Sequence, residues 1–223
     1  MRRLLPFAII IIVLVGAVAA GWIVLRSSRD QANQSSPTPN PGGEVKGAEP
    51  PHVQGNPNAV VTVEEFGDFQ CPTCGSMHPE IKKIQGEFGD KMKLIFREYP
   101  LLPMHEHALM AAQAAEAAGI QGKFWEMHDL LYENQTKWVP EKDLVPVFAD
   151  YAKQLGINPD QFMKDLNGEL VAQRIFQDGK RAHSLGFKGT PSFVVNGKEA
   201  TGDQWRPDGL RQMIRDAIAA SGK

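Results

Sequence analysis

The four residues Cys71-Pro72-Thr73-Cys74 hold the only two cysteines in this 223-residue chain. Three kinds of chemistry suit such a pair. A structural disulfide stabilises mainly by closing a long loop, and this one would close only a few residues. A zinc site usually needs four ligands, and the chain has no second C-x-x-C to supply them. Copper or zinc held by Cys71, Cys74 and His78 is the metal version left open, although His78 reads more simply as a surface histidine. A redox pair explains more. At a helix start, unpaired backbone N–H groups and the positive end of the helix dipole favour thiolate, the reactive form. Cys71 then reads as the exposed, attacking sulfur and Cys74, one turn in, as the buried, resolving one. Pro72 and Thr73 between them tune the pair.

A second piece of the site stands far along the chain. Thr190-Pro191 precedes the β-rich run "SFVV", and X-Pro bonds adopt cis far more readily than other peptide bonds. A cis Pro191 would present the Thr190 backbone to an extended substrate beside Cys71. Acidic candidates stand before the cysteines. Strand alternation puts Glu64 and Glu65 on opposite faces, so one of them points inward or sits at an edge, with Asp68 a further candidate.

These residues need elements to position them. "AVVTVEEF" (59–66) reads as a strand covered on both faces. Residues 71–88 read as a helix, with Pro72 at its first position, Pro79 as a kink and Gly89 as its stop. A second strand covers 91–101. A helical block follows, in which Phe124, Trp125 and Met127 are core and His105 and His107 cap or pack its start. "PSFVVNGKEA" (191–200) reads as a hairpin about Asn196-Gly197, and residues 207–220 as a last helix. The order predicts an α/β sheet carrying an inserted helical subdomain.

Around this domain the chain changes character. Residues 4–25 are almost wholly apolar, long enough to cross a bilayer. Residues 1–26 therefore read as a transmembrane signal-anchor, a cleaved signal peptide being the alternative. Residues 27–48 are rich in Ser, Pro and Gly and read as a flexible tether, which leaves 49–223 as one domain. A formal net charge of −2 gives no sign of a nucleic-acid surface.

The segments "VVTVEEFGDFQCPTC", "FREYPLLPMHEHA", "GKFWEMHDLLYENQ" and "GTPSFVVNG", in this order, resemble the DsbA-like branch of the thioredoxin superfamily, particularly its membrane-tethered bacterial members. The resemblance runs from about residue 55 to 219. It implies a thioredoxin fold with a helical insertion at about 104–187, and dithiol–disulfide exchange in exported proteins. It makes Cys71 the nucleophile, Cys74 the resolving thiol, Pro191 the cis-proline and Thr190 the substrate-facing residue. It also gives Glu65 the place of the carboxylate beneath the site, where burial would raise its pKa and fit it to relay a proton. The implied cofactor set is empty apart from the Cys71–Cys74 disulfide, with no metal. The implied partners are exported cysteine-containing proteins and a membrane quinone-linked reoxidant, and the implied place is the bacterial cytoplasmic membrane with the domain outside. Thr73 departs from the family's most oxidising member, which has histidine there. Threonine brings no positive charge, so a reductase or isomerase running in reverse is the other reading.

Overall fold

The computed structural model describes residues 45–102 and 104–222. The expected membrane anchor and most of the tether lie outside these residues. Among the described residues, no helix is long and apolar enough to cross a membrane.

Five strands form one sheet in the order β1-β3-β2-β4-β5. β2 (Val61–Gly67) and β3 (Met92–Glu98) run parallel, joined by α1 (Pro72–Phe88). β2 also pairs antiparallel with β4 (Ser192–Val195), which turns into β5 (Lys198–Glu199). The β-branched run thus lies at the centre, buried on both faces as its apolar character predicts. At the hairpin, Asn196 and Gly197 have φ of 47° and 80°, the left-handed pair that a type I′ turn requires. β1 (His52–Gly55), antiparallel to β3, was not foreseen: four residues of "HVQG" carry no apolar alternation.

One sheet face packs Val61, Val63, Leu94 and Phe193 against Met77, Ile81 and Ile84 of α1 and against Leu210 and Ile214 of α8 (Pro207–Ala220). The helical insertion lies between β3 and β4. It comprises α2 (Ala108–Ile120), α3 (Phe124–Glu133), α4 (Gln135–Trp138), α5 (Val145–Gln154), α6 (Pro159–Leu166) and α7 (Glu169–Ser184). Seven alanines of α2 are buried, because a helix packed on nearly all sides needs small side chains for its neighbours to approach. Phe124 and Met127 are core, and Trp125 packs partly buried against it.

The opposite sheet face holds a buried ion network. Glu64 Oε1 accepts from Arg97 Nε at 2.7 Å and from Arg181 Nε at 2.8 Å, and its Oε2 accepts from Arg181 at 2.7 Å. Asp178 accepts from Arg97 and from the backbone N–H groups of Ala48 and Glu98. Arg97 and Arg181 also donate to the carbonyls of Ala48 and Val45, so the end of the tether stretch is strapped to the domain. Glu64 and Glu65 take opposite faces of β2, as alternation expects. Both are buried, because β2 has no solvent face.

Candidate active site

Cys71 is the N-cap of α1, followed by Pro72, whose missing N–H costs nothing at this position. No side chain caps the helix, so its positive end faces the sulfur. The preceding loop is tied from several sides. Asp68 accepts from the backbone N–H of Gln70 through Oδ1 and from that of Cys71 through its carbonyl. Gln135 Nε2 donates to the carbonyls of Phe69 and Cys71 at 2.6 and 2.9 Å. From the far end of the chain comes Thr190, whose peptide bond to Pro191 is cis. Cys71 Sγ donates to the Thr190 carbonyl at 3.4 Å.

The two thiols are unbonded and unlike. Cys71 is 7% exposed and Cys74 fully buried, so the attacking sulfur expected to be exposed is instead only the less enclosed of the two. A hydrogen bond from Cys74 lowers the Cys71 pKa to about 5 against the cost of burial, helped by the Thr190 side chain and the backbone N–H groups of Cys74 and Thr73. Burial pushes Cys74 well above the usual thiol range, with the Cys71 thiolate adding to it. The Thr190 hydroxyl is buried without a partner in the dithiol form, which leaves it for a thiolate. Pro72 and Thr73 are exposed at the helix mouth.

Beneath the cysteines lies a buried acidic pocket. Glu65 shares a sheet face with Val63, the face that α1 covers, and burial raises its pKa to about 8. Tyr132 of α3 is fully enclosed, and burial first, then the charges of Cys74, Glu65, Glu98 and Asp68, pushes its phenol well above the usual range. A Cβ at Gly67 would stand 2.5 Å from the Phe96 ring and 2.8 Å from the Tyr132 hydroxyl, so only glycine fits there. Glu98, its carboxyl unpartnered, is raised well above the carboxylate range by burial. Tyr132, Glu98 and Gln135 were missed in the sequence, where nothing ties residues so far apart to the C-x-x-C.

Two histidine expectations are corrected. His105 neither caps nor merely packs: its Nδ1 lies 2.8 Å from Asp68 Oδ2, which also accepts from the Leu101 N–H. His107 stands at the N-cap of α2 without a side-chain cap, its backbone N–H donating to Gln70. His78 is not a surface residue but is buried against Tyr132 and His128. The described residues bring no cysteine together with His78 as metal ligands.

A dithiol at a helix mouth, faced by a cis X-Pro and set on this sheet, defines a thiol–disulfide oxidoreductase of the thioredoxin class. A family model described as thioredoxin matches residues 47–216, and the chain belongs to that family. Among solved structures, a thioredoxin-like oxidoreductase from Silicibacter pomeroyi is 30% identical with a TM-score of 0.64, covering 76% of this chain and 92% of that one. BdbD from Bacillus subtilis is 27% identical with a TM-score of 0.67, covering 80% of this chain and all of that one. The thiol-disulfide exchange protein alpha-DsbA2 from Wolbachia pipientis, 24% identical with a TM-score of 0.62 over 74% of this chain and 86% of its own, shares the fold. In sequence, the chain is 39% identical over 170 residues to a protein named Na(+)/H(+) antiporter NhaA 1 of Salinispora arenicola. That match covers 76% of this chain and a quarter of that protein.

Proposed function

We propose that the protein is a membrane-tethered, extracytoplasmic oxidase that forms disulfides in exported proteins. The observation that carries this reading is the split between the two thiols. A stabilised Cys71 thiolate favours the dithiol over the disulfide and so makes the disulfide form an oxidant. The neutral donors around Cys71 supply what Thr73, without a charge, does not.

In the forward direction a substrate thiolate attacks Cys71 Sγ of the Cys71–Cys74 disulfide. The S–S bond breaks, and its electron pair leaves on Cys74. With its raised pKa, Cys74 takes up a proton, for which the Glu65 carboxyl, protonated at neutral pH, is the buried source. The substrate's second thiolate then attacks its own sulfur in the mixed disulfide and expels Cys71 as a thiolate. The substrate leaves oxidised, the enzyme leaves as a dithiol, and a quinone-linked membrane partner restores the disulfide. Throughout, the Thr190 backbone aligns the extended substrate.

The test is the reduction potential of the pair in the full-length chain. A value at or above about −180 mV supports the oxidase, whereas one near about −270 mV would make the protein a reductant. Mass spectrometry of Cys74→Ser mixed with a disulfide-bearing peptide should show an adduct on Cys71. No adduct with any such partner would sink the exchange chemistry itself.

A further inference from the structure

One turn beyond Cys74, the redox helix α1 presents His78 to a row of side chains on α3. His78 Nε2 lies 3.7 Å from Asp129 Oδ1 and 4.0 Å from Glu133 Oε1. His128 Nδ1 lies 3.1 Å from the same Asp129 oxygen. One donor atom each of His78, His128 and Asp129 falls within 4.8 Å of the others, and no ion is present. Both imidazoles are more than nine-tenths buried, at 6% and 4% exposure, and His78 Nε2, the nitrogen that faces the two carboxylates, lacks any hydrogen-bond partner. A buried polar nitrogen left unpaired is costly and calls for a ligand.

We propose that His78, His128, Asp129 and Glu133 form a zinc site that clamps the redox helix to the inserted subdomain. Four donors around a tetrahedral zinc at about 2.0–2.1 Å stand roughly 3.3 Å apart; His78, His128 and Asp129 already lie within 4.8 Å of one another, and the half-exposed Glu133, 4.0 Å from His78, would swing in as the fourth. Two imidazole nitrogens with two carboxylate oxygens suit a borderline divalent ion and disfavour calcium or magnesium, which take oxygen ligands. The rings are held in place: Tyr132 stacks on His78, and Phe69, Phe96 and Trp125 surround His128.

Charge at the site fits as well. Lys82 Nζ lies 2.8 Å from Asp129 Oδ2 and 3.4 Å from Glu133 Oε1, so the carboxylates already gather a cation. Lys82 and Glu133 are about half exposed, which gives an ion its entry from solvent. Zinc would take over the carboxylates, and the Lys82 ammonium, on a flexible stem, would swing into water.

The test is a zinc titration of the full-length chain with Cys71 and Cys74 oxidised, so that neither sulfur can serve as a ligand. Calorimetry should give one zinc per chain, with a thermal midpoint that rises with zinc concentration. Cobalt in place of zinc should give visible d–d bands without a thiolate charge-transfer band. Asp129→Asn, a change at a partly exposed position, and His128→Gln should each weaken binding at least tenfold. Lys82→Met should tighten it severalfold by removing the competing charge. Absence of saturable zinc binding, or binding that Asp129→Asn leaves unchanged, overturns the site. Neither result depends on the direction of thiol exchange, which is measured separately.

Discussion

At the residue scale the protein turns on how differently one helix mouth treats two sulfurs. The Cys74 hydrogen bond is the largest influence holding Cys71 near pH 5, so thiolate absorbance of the reduced protein should show its midpoint there. Cys74→Ala, which removes the donor, should move that midpoint upward, while Cys74→Ser, which keeps a hydroxyl, should move it less. Equal midpoints in the two variants would mean that the helix end and Thr190 dominate instead. Glu65 supplies a second test. Its folded pKa of about 8 exceeds the unfolded value of 4.5, so the folded state binds the extra proton between them. Stability from this group is full below about pH 4.5 and is lost as pH rises through 8. Glu65→Gln should therefore stabilise the oxidised protein at pH 9 by a few kcal/mol and change little at pH 4, as read from urea unfolding. The cysteines and the Thr-Pro step were legible because each residue type is rare and chemically marked. Tyr132, Glu98 and Gln135 were not, since such residues become functional only when the fold carries them to the site.

At the scale of elements, the parallel β2–β3 pair and the α1 crossover fix the cysteines, and periodicity was enough to find all three. The buried network was a matter of packing. Alternation shows that Glu64 and Glu65 face opposite ways, yet it cannot show that Arg97 of β3 and Arg181 of α7 meet Glu64 on the far side of β2. Glu64→Ala would leave Arg97 and Arg181 buried without their shared partner, at a cost of about 3–5 kcal/mol in urea unfolding. Lys83→Ala, which breaks an exposed pair with Glu80, should leave the unfolding midpoint unchanged. If the two variants proved alike, the network would hold no more than a surface pair does.

Over the whole molecule, the state of one sulfur enters global stability. In the reduced form Cys71 gives up its proton near pH 5 when folded and near 9 when unfolded. The unfolded chain therefore binds more protons across that window, and reduced-state stability rises with pH through it. The oxidised form has no such thiol, so the advantage of reduced over oxidised protein should widen from pH 5 to pH 9 in parallel denaturant titrations. A constant gap would remove the case for a stabilised thiolate, and with it the case for an oxidase. Taken by itself, the sequence determined the fold class and most of its elements in order, and pointed to Cys71 and Cys74 as the reactive pair, because hydrophobic period, turn chemistry and two lone cysteines are local signals. Only the tertiary structure decided what surrounds that pair. The buried ion network and the cluster of histidines depend on distances between residues far apart in the chain, 33 positions for Glu64 and Arg97 and 130 for Ala48 and Asp178, and chain spacing does not encode those until the core has packed.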